Sequence, residues 1–262
     1  MSALSAQPQT IGKVLDSGIR LYVRGLGKVF PISLVMALIG MVPNFVRFNP
    51  DMVRNADPAR LGITAIVYVI VIVLLGIIIY SAMIKVYGDL GAGGSPTVGA
   101  SLKRGLTKLF PVLIAGILYF LAVALGMVVL VIPGIIFMLS MYLFSTAIVL
   151  DDKGIIESLK YSHHLVWGNW WRTAVIFTVP VVIIIGLYVL LGIVLSLVMA
   201  TMAAGAGTFN PSDLSQFSWF FFGEAIINAI VYPLFYAMAV AVYHDLKVRK
   251  SGGDLEARLA GA

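Results

Sequence analysis

Polar side chains recur every four residues in the last apolar stretch of the sequence: Glu224, Asn228, Tyr232 and Tyr236. Residues with this spacing lie on one side of an α-helix, so the four side chains would form a polar ridge. Polar groups at membrane depth face a bundle interior or a wet cavity. Glu224 and Asn228 could therefore line a path for a substrate or a proton. The alternative is structural, with Glu224 reaching water at the outer boundary and Asn228 bonding a neighbouring helix.

A row of mostly small residues runs beside this ridge on the same stretch. It consists of Ala225, Ala229, Pro233, Ala237 and Ala241. Small side chains let two helices approach closely within a membrane. We therefore expect this last helix to pack in the centre of the protein.

Histidine, cysteine and serine residues show no catalytic or metal-binding pattern. His163 and His164 are adjacent and would point about 100° apart on a helix, so they cannot share a metal ion without a third ligand. His244 with Asp245 could supply that ligand only if the end of the chain folded back. The sequence contains no cysteine and no Gly-x-Ser-x-Gly motif. We predict that the protein is not an enzyme and has no catalytic residues, metal site or cofactor.

Basic side chains form the second pattern with chemical meaning. They are spaced along helical faces as Arg20, Arg24 and Lys28, and again as Lys103, Arg104 and Lys108. Cations at this spacing could contact anionic lipid headgroups, with an energy of about 1 kcal/mol for each charge near the surface. The alternative is that they serve only membrane insertion and orientation. The formal net charge of +6 could also suggest nucleic acid, but no nucleic-acid-binding motif accompanies it.

Composition places all these residues in a membrane protein. Of the 262 residues, 60% are hydrophobic and 11% are charged, and the mean hydropathy is +1.01. A soluble domain could not bury this much apolar surface. We predict an all-α integral membrane protein in which residues 1–262 form a single membrane domain.

Six apolar runs are long enough to approach the thickness of a bilayer, which needs about 20 helical residues. They cover residues 29–46, 61–83, 109–132, 134–150, 173–202 and 219–243. A tight turn at Pro133 and Gly134 separates the third and fourth runs. Most Lys and Arg residues outside the runs fall on one side of the predicted membrane. The positive-inside rule therefore places both termini in the cytoplasm.

Three amphipathic segments precede spans on this cytoplasmic side. The first begins after Thr10 as N-cap, the second begins with Ser95 as N-cap and Pro96 at N1, and the third covers residues 154–168. Residues 27–32 align with 107–112, and 168–172 occupy the equivalent place in the third segment. This predicts three repeat units over residues 10–90, 95–150 and 154–245, related about an axis along the membrane normal. A flexible tail follows at 251–262.

Several stretches resemble the membrane domain found beside some bacterial glycerophosphodiester phosphodiesterases and in stand-alone YciC-like proteins. The similar residues are 12–16, 20–22, 132–136, 150–151, 154–171, 242–250 and 254–256. The resemblance implies a bacterial inner-membrane protein without catalytic residues in its membrane part. The phosphodiesterase barrel is missing, so that activity is not transferred. Ser162 and His163 stand where the family has Ser-Trp.

Two functions agree with these patterns. The preferred one is a non-enzymatic protein of the bacterial inner membrane, which acts through anionic lipids, a protein partner or a second copy of itself in envelope maintenance. The alternative is a transporter or channel for a small solute. The basic segments favour the first function, and the polar ridge favours the second.

Overall fold

The computed structural model describes residues 4–43, 57–206 and 218–251, and over these ranges the chain is helical without any strand. The helices there are α1 (Ile11–Gly40), α2 (Pro58–Gly91), α3 (Val98–Thr107), α4 (Leu109–Val129), α5 (Val131–Met141), α6 (Phe144–Asp151), α7 (Ile155–Val166), α8 (Trp170–Ala206) and α9 (Ser218–Ser251). The predicted all-α class is therefore confirmed.

Six candidate membrane spans occur in the described part of the chain. They are α1, α2, α4, the pair α5 and α6, α8 and α9, each long and apolar enough to cross a bilayer. Large apolar side chains along their outer faces are exposed, among them Val128, Ile132 and Val182. Such a surface is stable in lipid but not in water. The architecture is that of a multi-pass membrane protein.

The first span differs from its prediction because α1 is one continuous helix. The sequence predicts an amphipathic segment and then a separate span from residue 29. Buried residues instead recur from one end of α1 to the other, including Val14, Leu21 and Val29. This stripe packs against α9. The polar first half of α1 therefore contacts the rest of the protein, as the apolar second half does. Pro31 lies inside the helix without ending it.

The two remaining amphipathic segments form the short helices α3 and α7. Thr97, not Ser95, caps α3, and its side chain accepts a hydrogen bond from the Ala100 N–H. α3 lies close against α2, since a Cβ added to Gly105 would clash with the Ile78 carbonyl oxygen. Helix α7 begins after Gly154, as predicted.

The fourth span is interrupted, which the sequence does not predict. α5 ends at Met141 and α6 begins at Phe144. The Ser162 hydroxyl of α7 accepts a hydrogen bond from the Leu143 N–H at 3.1 Å and donates one to the Ser140 carbonyl at 2.8 Å. These bonds satisfy backbone groups that the interruption removes from the helical pattern. One face of α7 is therefore buried in the bundle.

The turn before this span is also displaced from its prediction. Leu130 is extended and joins α4 to α5, so Pro133 and Gly134 belong to the first turn of α5. A Cβ added to Gly126 would lie 2.8 Å from the Gly134 Cα. Only glycine allows the two helices to approach this closely.

Helix α9 is central, as the row of small residues predicts. Ala225, Ala229, Ala237 and Ala241 are all buried, and 61% of the residues in an 18-residue apolar stretch of α9 are buried inside the protein. By contrast, the corresponding 18-residue apolar stretch of α8 has no buried residue and is available to lipid. The predicted repeat, the cytoplasmic position of the termini and the domain boundaries stay predictions. The tail at 252–262 lies outside the described residues.

Candidate functional site

One end of the bundle carries a cluster of ion pairs around Asp245 of α9. Asp245 is 5% exposed, and its carboxylate accepts hydrogen bonds from the Gln9 N–H at 2.8 Å, Arg249 Nε at 2.9 Å and Arg172 Nη2 at 3.1 Å. Both arginines also donate to the Gln9 carbonyl oxygen. The cluster therefore joins the segment before α1 to α8 and α9.

Two further aspartates pair with cations at the same end. Asp151 accepts hydrogen bonds from Tyr243 and Lys247. Asp152, in the connection after α6, accepts bonds from Arg104 at 2.8 Å and pairs with Lys108. The hydrogen bonds from Arg104 and Lys108 lower the pKa of the Asp152 carboxyl group to about 2, and the bond from Arg104 has the larger effect.

Most of the basic residues predicted to contact lipid have a partner inside the protein. Arg104 donates to the Val149 carbonyl and to Asp152, and Lys28 donates to the Pro96 carbonyl at 2.8 Å. Lys108 also pairs with Asp152, and Arg20 pairs with Asp16. Arg24 and Lys103 are exposed and have no partner within residues 4–43, 57–206 and 218–251. Most of these basic side chains therefore hold parts of the protein together. Among the described residues, Arg24 and Lys103 remain available to contact a ligand.

A polar pocket of about 370 Å³ lies beside the first turns of α1. Arg20 and Arg24 line it, together with the uncharged polar residues Ser5, Gln9 and Ser17. Ser17 donates a hydrogen bond to the Gln9 side-chain oxygen at 3.2 Å, which orients the Gln9 amide. This arrangement can bind an anion through charge-assisted hydrogen bonds.

The predicted polar ridge lines a second cavity, of about 330 Å³, toward the opposite end of the bundle. It lies between α1, α2 and α9, and its polar lining consists of Ser33, Tyr80, Glu224, Asn228, Tyr232 and Tyr236. The structure thus brings all four ridge residues to one cavity. Glu224 has no hydrogen-bond or ion-pair partner in the described ranges.

The polar residues of this cavity are held by neighbouring helices. Asn228 accepts a hydrogen bond from Tyr188 of α8, in agreement with the structural interpretation of that residue. At the inner end of the cavity, the Tyr80 ring packs edge-on against Tyr236 at 5.0 Å between centroids. The Tyr80 hydroxyl is hydrogen-bonded to Ser145 of α6. Asn228 therefore both lines the cavity and ties α9 to α8.

Tyr80, Tyr188 and Ser145 are site residues that the sequence analysis missed. Each lies in an apolar run, and no helical spacing distinguishes it. The histidines occupy separate positions: His163 is hydrogen-bonded to Ser140 at 3.0 Å, and His244 is hydrogen-bonded to the Ser5 carbonyl. Among the described residues, His, Asp and Glu form no group of three that could hold a metal ion.

The fold and these two cavities define a helical multi-pass membrane protein with polar cavities near both ends. Residues 32–246 match the family described as a domain of unknown function, DUF7847, so the chain belongs to that family. No curated protein and no solved structure matches the chain. The resemblance to the YciC-like proteins stays a prediction.

Proposed function

We propose that the protein is a non-catalytic, multi-pass protein of a bacterial inner membrane that binds anionic lipid headgroups in envelope maintenance. The observation that carries this proposal is the pocket lined by Arg20 and Arg24 at the basic end of α1. Both termini would lie on the cytoplasmic side, where the basic end is expected from the positive-inside rule.

The length of α1 supports a position of this pocket at the membrane boundary. The helix has 30 residues, which corresponds to about 45 Å. The hydrocarbon core is roughly 30 Å thick and takes about 20 of these residues. If residues 21–40 at the outer end of α1 fill the core, Arg20 lies at its boundary and Arg24 lies about one turn inside it. The long Arg24 side chain can still reach the level of the headgroups. Ile19 and Val23, beside them, expose apolar side chains to the acyl region.

The chemistry of the pocket suits an anionic headgroup better than a neutral one. Guanidinium groups form paired hydrogen bonds with phosphate oxygens. Arg24 has no partner within the described ranges, so it can donate to a ligand without breaking an existing ion pair. Arg20 is held by Asp16 one turn away, which offsets part of its charge. Arg24 is therefore the residue on which headgroup affinity should depend most.

Lipid affinity of single-charge variants tests this proposal. The protein is titrated with phosphatidylglycerol and, separately, with phosphatidylcholine, and bound lipids are counted by native mass spectrometry. Arg24→Gln should weaken phosphatidylglycerol binding about fivefold, since one interfacial cation contributes about 1 kcal/mol. Phosphatidylcholine binding should not change.

Lys103→Gln is the matched control, because Lys103 is exposed and unpaired within the described ranges but does not line the pocket. Its phosphatidylglycerol affinity should remain within twofold of the unaltered protein. Equal losses in the two variants would mean diffuse attraction to the basic surface. No loss in either would mean that these charges act only in insertion and orientation.

A further inference from the structure

We propose that the protein also conducts a small organic cation, of the quaternary ammonium class, along the seam between α2 and α9. Two cavities lie along this seam: α1 completes the outer one and α6 completes the inner one. Tyr80 and Tyr236 form an aromatic barrier in the outer cavity, at the end that faces the inner one. The inference does not rest on lipid binding, since the inner cavity shares only Leu4 and Ala6 with the pocket of Arg20 and Arg24 and neither residue enters the argument.

The outer cavity has the chemistry of a cation site. Glu224 brings a carboxylate without an ion-pair partner in the described ranges, and Asn228 adds an amide oxygen. Tyr232 and Tyr236 add aromatic rings to the same wall. Quaternary ammonium groups are bound by aromatic faces together with a carboxylate. The volume of about 330 Å³ limits the ligand to a small molecule.

A second cavity, of about 290 Å³, continues the seam toward the charged end. Its lining includes Gly88 of α2, Leu150 and Asp151 of α6, and Tyr243 and His244 of α9. The outer cavity ends on α9 at Tyr236, and the inner one begins at Val240. Three residues, 237–239, lie between them, and the rise from Tyr236 to Val240 is about 6 Å along α9.

Two unpaired hydroxyl groups lie on α2 and α6 near the boundary of the two cavities. Ser81 lies between Tyr80 and Met83 of the outer cavity, and Thr146 lies one turn before Leu150 of the inner cavity. Ser81 and Thr146 are 0% and 1% exposed, and neither hydroxyl oxygen has a hydrogen-bond partner in the described part of the protein. Ser81 is seven residues before Gly88, and Thr146 is four before Leu150, so each shares a helical face with a residue of the inner cavity. A buried hydroxyl without a partner is costly. Hydroxyl groups at this place could solvate a cation that passes between the cavities.

The barrier has parts on three helices. Tyr80 of α2 contacts the ring of Tyr236 of α9 and is hydrogen-bonded to Ser145 of α6. Rotation of the Tyr80 side chain would break one hydrogen bond and one ring contact. Tyr80 is therefore placed to close the seam, while Glu224 concentrates cations at its outer end.

Tetramethylammonium is a suitable probe, because it is permanently charged and does not cross a bilayer unaided. The full chain is reconstituted in liposomes, and uptake of radiolabelled tetramethylammonium is measured alongside its binding to the protein in detergent. Glu224→Gln should weaken binding and reduce uptake about tenfold, as expected for removal of one partly desolvated charge. Glu157→Gln removes an exposed carboxylate on α7 and should change neither quantity.

The barrier variants move uptake in the opposite direction. Tyr80→Ala should raise tetramethylammonium uptake severalfold, whereas Tyr80→Phe keeps the ring and should remain close to the unaltered protein. General damage to the fold would lower uptake in both Glu224→Gln and Tyr80→Ala. Lower uptake in Glu224→Gln together with higher uptake in Tyr80→Ala would therefore identify a conduction path. Uptake that is absent, or equal in the unaltered protein and Glu224→Gln, would overturn the proposal. Binding without uptake would overturn the path as well.

Discussion

Replacement of Asp245 by asparagine should destabilise the fold, because this carboxylate is the shared acceptor of a largely buried charge cluster. It is 5% exposed, and it accepts hydrogen bonds from the Gln9 N–H, Arg249 and Arg172. Asparagine has nearly the same shape but no charge, and its amide nitrogen cannot accept these bonds. The change therefore isolates the charge from side-chain packing.

The magnitude follows from the environment of the two guanidinium groups. Arg172 and Arg249 are 17% and 26% exposed, so both are partly desolvated. Removing one partner of a buried ion pair costs about 3–5 kcal/mol. Here both arginines keep a bond to the Gln9 carbonyl and some contact with solvent, so we expect about 2–3 kcal/mol. At about 2–4 °C per kcal/mol for a chain of this size, Tm should fall by roughly 5–10 °C.

Thermal unfolding in detergent, followed by circular dichroism, measures this change. Asp16→Asn is the matched control, since the Asp16–Arg20 pair is 56% and 60% exposed. An exposed pair contributes about 0.2–1 kcal/mol, so its Tm should change by only a few degrees. In Asp245→Asn, limited proteolysis should also cut the segment around Gln9 faster. Equal Tm changes in the two variants would refute the view that the Asp245 cluster holds the helices together.

Two further predictions concern the connections of the short helices. Gly105→Ala should destabilise the protein by about 1–3 kcal/mol, because its Cβ would clash with the Ile78 carbonyl oxygen. Gly99→Ala, which meets open space, should not destabilise it, and thermal unfolding compares the two. The ion pairs of Asp152 lower its pKa from 3.8 to about 2. Their contribution to stability should therefore be complete above pH 3.8 and be lost as the pH falls through about 2, a dependence absent from Asp152→Asn in pH-dependent unfolding.

Local patterns in the sequence predict the spans well because a membrane imposes a simple rule: about 20 apolar residues in a row. The same rule cannot detect where a span is interrupted. Nothing in the apolar run around Leu143 indicates that a serine from α7 replaces its helical hydrogen bonds. Likewise, the continuous stripe of α1 is visible only once α9 is packed against it.

The polar residues show the same division. The spacing of Glu224, Asn228, Tyr232 and Tyr236 is sufficient to predict a polar ridge, because it follows from helix geometry alone. Whether that ridge meets lipid, another helix or a cavity depends on α1 and α2, which supply the other walls. Tyr80 and Ser145 enter the site only through contacts across 65 residues of chain.

The sequence by itself determined the all-α class, six apolar segments of spanning length, the central position of α9 and its polar ridge. These properties depend on composition and on the 3.6-residue period of a helix, both of which are local. Only the tertiary structure decided which charges pair internally and which, such as Arg24, remain available for a ligand. Ion pairs and cavities join residues far apart in the chain, so they follow from how the helices pack.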